Sequence, residues 1–193
     1  MRLAIVDLGC GNLGAVSIAF ERFGLKPLVT GDAAAIQSAD KVILPGVGAA
    51  GFAMEQIRWR GLFLALRGLR QPVLGICLGM QLLFEMSEEA GVQCLGIVPG
   101  RVGKLSPEPG RPVPHMGWSR LHVTDPGIGL ESGDYVYFAH SYACQDGPYS
   151  VATADYGRAI PAVVRKDNFL GAQFHPERSG AAGARFLKAF LDQ

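Results

Sequence analysis

The chain has 193 residues, 49% apolar and 18% charged, with a formal net charge of +1. That is long and apolar enough to bury a substantial core, and it excludes a disordered chain. With no basic excess, nothing supports binding to nucleic acid or to an acidic membrane surface.

The elements are predicted in chain order. Leu3–Val6 reads as a buried strand, and Asp7 interrupts the apolar start too early for a secretory leader. A glycine-rich turn, Gly9-Cys10-Gly11-Asn12, leads into a helix from about Leu13 to Phe23 that stops at Gly24. Pro27–Thr30 and Val42–Leu44 are the next strands, the latter closed by Pro45-Gly46, and helical segments cross Phe52–Arg67. Val73–Ile76 is a fourth strand, with Leu78–Ser87 as its helix. Strands that alternate with helices predict a parallel sheet covered on both faces. The stretch from Val98 to Leu121 is rich in Gly and Pro and suits short strands and loops. Tyr135–Phe138, Tyr149–Ala154, Ala162–Arg165 and Leu170–Phe174 read as further strands, and Ala182–Leu191 as a closing amphipathic helix. There is no repeat and no linker, so residues 1–193 are expected to form a single α/β domain. No uncharged apolar run approaches the roughly 18 residues of a membrane span. Cys10, Cys77, Cys94 and Cys144 are scattered without a C-x-x-C pair, so neither a disulfide framework nor a zinc site is predicted. A reduced, cytoplasmic protein without metal or cofactor is expected.

The chemistry concentrates in two segments. Pro72 to Gln81 runs strand, Gly75-Ile-Cys77-Leu-Gly79, helix, which is the form of a nucleophile elbow. A thiol at a helix N-terminus lies near unpaired N–H groups, which favours the attacking thiolate. The alternative for Cys77 is a small core hydrophobe. Cys10, also between glycines, has no evident base and reads as structural. Nearly a hundred residues later comes Gln173-Phe-His175-Pro-Glu177. Pro176 holds His175 extended, and residues two apart in extended chain face the same way. Glu177 is therefore placed to fix the imidazole tautomer, which gives nucleophile, base and orienting acid. Alone, His175 reads equally well as a packed strand-end residue; with the elbow, catalysis is the stronger reading. His115 and His140 have aromatic surroundings but no metal-ligand spacing, and His122 is an ordinary strand residue. An amide substrate also needs aimed N–H donors for its oxyanion. The Leu78 N–H, next after the nucleophile, is one. The loop Leu44-Pro-Gly46-Val47-Gly48 suits a second, although it also reads as a plain strand-to-helix turn.

These three parts, in this order, resemble the class I glutamine amidotransferases. Further stretches narrow the resemblance to the glutaminase subunits of imidazole glycerol phosphate synthases: Asp7-x-Gly-x-Gly-Asn-Leu13, Gly75 to Glu85, Val113-Pro-His-Met-Gly-Trp118 and Tyr137-Phe-x-His-Ser-Tyr142. The resemblance covers essentially the whole chain. It implies a flavodoxin-like, mixed, mostly parallel sheet flanked by helices, and a γ-glutamyl thioester on Cys77. It implies an oxyanion site at Val47, Gly48 and Leu78, and a glutamine pocket with Gly46, Gln81, Ser141 and Tyr142. The implied partner is a (β/α)8-barrel cyclase subunit in a heterodimer, met through Met116, Trp118, Tyr137 and Arg178. There are departures: Leu8 where tyrosine is common, Ser119 for a frequent asparagine, and Arg178 for the usual lysine. Competing readings are a glutaminase subunit of pyridoxal phosphate or anthranilate synthesis, a cysteine peptidase, and a binding subunit whose chemistry has decayed.

Overall fold

The computed structural model describes residues 1–193. It opens with β1 (Leu3–Val6), α1 (Leu13–Glu21), β2 (Leu28–Thr30), α2 (Ala33–Ser38), β3 (Lys41–Leu44), α3 (Ala50–Trp59), α4 (Leu62–Arg67) and β4 (Val73–Ile76). Every residue of β1, β3 and β4 is buried, as expected of strands covered on both faces. Short elements follow: α5 (Leu78–Gln81), β5 (Met86–Ser87), β6 (Val92–Gln93) and β7 (Arg101–Lys104). The rest comprises β8 (His115–Val123), β9 (Tyr135–His140), β10 (Tyr142–Cys144), β11 (Ser150–Asp155), β12 (Ala159–Lys166), β13 (Phe169–Ala172) and α6 (Gly180–Leu191).

Nine strands form a mixed sheet in the order β2-β1-β3-β4-β13-β12-β11-β8-β9. The strands from β2 to β13 are mutually parallel, and those from β12 to β9 extend the sheet antiparallel. A smaller sheet, β10-β7-β5-β6, lies apart from it. The two-residue period of the strands divides the core. Leu3 and Ile5 join a cluster with Phe20 of α1 and with Phe186 and Phe190 of α6. Ala4 and Val6 join the opposite one, with Ile36 of α2, Met54 and Ile57 of α3, and Leu62 and Leu66 of α4. Helices thus cover both faces, as the alternating pattern predicts. No helix is long and apolar enough to cross a membrane.

The helix expected over Leu78–Ser87 ends at Gln81. Leu82, Leu83 and Phe84 are all fully buried, so that stretch has no polar face to turn toward water. Their carbonyls instead accept from the chain that follows: Leu82 O from Leu95 N–H, Leu83 O from Ile97 and Val98, and Phe84 O from Gly96. Met86–Ser87, assigned to that helix from sequence, is a strand of the small sheet.

Candidate active site

Cys77 follows β4 directly, with φ 53° and ψ −107°. A non-glycine residue in that region is strained and is held there by its surroundings. The Cys77 N–H donates to the Ala172 carbonyl at 2.7 Å, and its own carbonyl accepts from Gln81 N–H as α5 begins. The flanking glycines are required by contact. A Cβ on Gly75 would stand 2.7 Å from the Gly79 backbone, and one on Gly79 would collide with the Leu44 carbonyl. Because α5 has only four residues, it contributes little of the dipole that the longer predicted helix would have supplied. Support for a thiolate must come from neighbouring side chains.

The principal neighbour arrives on β13. This strand pairs in parallel with β4, so the two end at the same edge of the sheet. His175 is extended (φ −99°, ψ 97°), as the following proline predicts. The chain then turns: Pro176–Arg178 is a single 3-10 turn, not the extended segment expected from sequence. The pairing of His175 with Glu177 survives through that turn, with Nδ1 2.8 Å from Oε1 and both side chains nearly buried. Nδ1–H donates to the carboxylate, which leaves Nε2 for the thiol. Burial works against protonation of His175, but its interactions with Cys77 and Glu177 outweigh this and raise its pKa to about 10. The second carboxylate oxygen, Oε2 of Glu177, is buried without a hydrogen-bond partner.

A cleft of about 290 Å³ opens over Cys77, lined among others by Val47, Gly48, Leu78, Gln81, Ser141 and Tyr142. Such a volume suits a small polar molecule. Gly46 does not line it. Gly46 is buried behind the loop, and its carbonyl accepts the Leu78 N–H at 3.3 Å. The N–H groups of Val47 and Gly48 make no hydrogen bond within the chain, and Gly48 has φ +121°. Gln81 Nε2 donates to the Tyr142 carbonyl at 2.9 Å and to Gln173 Oε1 at 3.0 Å. Pro114, Ala139, His140 and Glu89 also face the cleft, a position the sequence did not assign to any of them. Their signal is only spatial, because they come from three separate segments. Met116 lines the cleft mouth and is 64% exposed, and Trp118 is 55% exposed beside Tyr137, their rings 6.0 Å apart. Arg178 is exposed.

His115 and His140 are buried and joined in one directed chain. His140 Nδ1–H donates to the Tyr142 carbonyl at 2.8 Å, so its Nε2 accepts from His115 Nδ1–H at 3.0 Å. His115 Nε2 in turn accepts from the Ser119 hydroxyl at 2.9 Å. A carbonyl can only accept, which fixes every neutral tautomer in the chain. Burial depresses both imidazoles to about 4. Below an ordinary histidine pKa of about 6.5 the unfolded chain therefore binds protons that the folded chain refuses. Stability should fall as pH drops from about 6.5 toward 4, by roughly 1 kcal/mol per pH unit per ring. Urea midpoints measured across that window check this; a flat profile would show that the rings titrate alike in both states.

The chain belongs to the class-I glutamine amidotransferases, whose family model matches residues 7–193. Over its full length and that of the relative, it is 50% identical to the imidazole glycerol phosphate synthase subunit HisH of Escherichia coli K12. It is 45% identical to the subunit of the same name from Shewanella oneidensis, over 98% of this chain and 95% of that one. A crystal structure of a glutamine amidotransferase superposes with a TM-score of 0.79 at 19% identity, covering 100% of this chain and 98% of the other, a likeness of fold.

Proposed function

We propose that this chain is the glutaminase subunit of an imidazole glycerol phosphate synthase, acting in histidine biosynthesis. The observation that carries the reading is 50% identity along the whole chain to subunits of that name. The site is consistent with it, since Cys77 lies beside a histidine that is bonded to a buried carboxylate.

The Cys77 thiolate attacks the carboxamide carbon of glutamine. The oxyanion that forms is met by N–H groups of Leu78 and of the Val47–Gly48 segment. His175, protonated and held by Glu177, gives its proton to the departing nitrogen, and ammonia leaves. His175 then takes a proton from water; the hydroxide opens the γ-glutamyl thioester to glutamate and expels Cys77, which restores the thiolate beside a protonated His175. Gln81, Ser141 and Tyr142 hold the glutamine, and Gly46 shapes the loop from behind. Residues 1–193 act as one domain in the cytoplasm and require no cofactor.

The ammonia passes to a (β/α)8-barrel cyclase subunit docked as a heterodimer. Met116, Trp118, Tyr137 and Arg178 form the contact, because large exposed aromatic and Met side chains dominate the energy of such surfaces. Trp118→Ala should weaken association by about 2 kcal/mol or more, with the melting temperature of the isolated chain unchanged. Titration calorimetry against the cyclase measures it; unfolding of the isolated chain would instead mark Trp118 as a core residue. The reading as a whole is tested by co-purification with the cyclase and assay of glutamine-dependent product. Glutamate release without imidazole glycerol phosphate would point to a different synthase.

A further inference from the structure

Gln173 is fully buried and sits two residues before His175, on the same side of the extended chain. Phe174, between them, points the other way and packs its ring against Phe138 and Phe186. Gln173 Nε2 lies 3.7 Å from Cys77 Sγ. An amide can be turned over without changing its shape, so its orientation needs a fixed reference. The Tyr142 carbonyl supplies one. It only accepts, so Gln81 must present its NH2 group to it, and the second N–H of that group meets Gln173 Oε1. Gln173 is therefore obliged to turn its own NH2 toward the sulfur. The Tyr142 carbonyl is itself held by His140, which His115 and Ser119 hold in turn. Two runs of hydrogen bonds thus converge on the Tyr142 carbonyl, one from Ser119 of β8 through His115 and His140, the other from Gln81, whose second N–H fixes Gln173 beside the nucleophile.

We infer that Gln173 is a thiolate-stabilising residue, whose amide N–H is aimed at Cys77 Sγ by the Gln81–Tyr142–His140 chain and favours the charged sulfur over the thiol. The inference rests on the reading of Cys77 as the glutaminase nucleophile. Chemically it fills the gap left by the short α5 and by the capture of the Leu78 N–H by Gly46. A hydrogen bond to a charged acceptor is stronger than a neutral one, and removing its donor removes that preference.

The test uses the full chain and the pH dependence of Cys77 alkylation by iodoacetamide, with the Cys77 peptide followed by mass spectrometry. Gln173→Met keeps the length and loses the donor; Gln173→Glu keeps the shape and sets an acceptor against the sulfur. In both, the midpoint for Cys77 should rise by about one pH unit or more, further for the glutamate. In the complex with the cyclase, kcat for glutamate release should fall roughly tenfold at little-changed KM. A residue that merely fills space would lower the melting temperature and leave the alkylation midpoint where it was, and that result in either folded variant overturns the inference. If the unaltered complex releases no glutamate while the midpoint still moves in the variants, the functional reading fails and the role of Gln173 stands.

Discussion

Cys77→Ser is expected to lower glutamine-dependent turnover on the order of 10³-fold or more, while the complex still makes product from added ammonium salts. A serine hydroxyl at the elbow keeps the geometry but stays protonated, and the His175–Glu177 pair is arranged around a thiolate. His175→Ala should be nearly as damaging, because it removes the proton donor for the leaving nitrogen and the group that stabilises the ionised sulfur. Combining the two changes should cost little beyond either alone, since residues that act as a unit are not additive. Single-turnover glutamate release from the two single variants and the double variant measures this. A double variant far worse than both would separate the residues, and near-normal glutamine use by Cys77→Ser would remove the thiol from the mechanism.

The second large effect concerns the partner. The isolated chain should hydrolyse glutamine slowly, and kcat should rise on the order of 10²–10³-fold when it is docked to a ligand-filled cyclase. The reason is visible in the loop after β3. The Leu78 N–H, one of the two donors proposed for the oxyanion, is engaged by the Gly46 carbonyl. The Val47 and Gly48 N–H groups have no partner in the chain, and Val47 is flanked by glycine at 46 and 48. Rotating the Gly46–Val47 peptide would withdraw the carbonyl that holds the Leu78 N–H and aim the Val47 N–H into the cleft. The bound cyclase must prefer the rotated state, since a ligand indifferent to it shifts nothing. Because the donors matter most when charge develops, the change should appear in kcat rather than KM. Glutamate release by the subunit, by the complex, and by the complex with a substrate analogue measures it. Equal kcat in all three would mean an oxyanion site that is always formed.

The parallel half of the fold was legible in the sequence because its strands are short, mostly apolar and separated by helices with clear stops. β1 and β4 match residue for residue, and β3 differs only in gaining Lys41, which is buried against the Phe190 ring. The small sheet was not legible: β5, β6 and β10 are two or three residues long and exist only through pairing with distant chain. The false extension of α5 has the same origin, since Leu82 to Phe84 satisfy helical and buried-turn patterns equally well. At the site, Cys77, His175 and Glu177 could be found because backbone signals mark their places, glycines two residues to either side of Cys77 and Pro176 between His175 and Glu177. Gln173 was in view between them but carries no such mark. Its significance lies in which atom its amide turns toward the sulfur, and that is decided by the Tyr142 carbonyl, far away in sequence.

The parallel pairing of β4 with β13 also bears on how the protein comes to be armed. Gln173 and Cys77 meet across 96 residues of chain, and the intervening segment builds the antiparallel half of the sheet. Contacts of such separation form late and slowly in folding. While the protein is being made, therefore, Cys77 is present before β13 has paired with β4 and before His175, Glu177 or Gln173 is near it. In that interval it lacks its base and cannot consume glutamine. Chains stalled or cleaved between the two strands should carry the nucleophile and yet be inert, so that docking of a single strand acts as the safety catch on the chemistry.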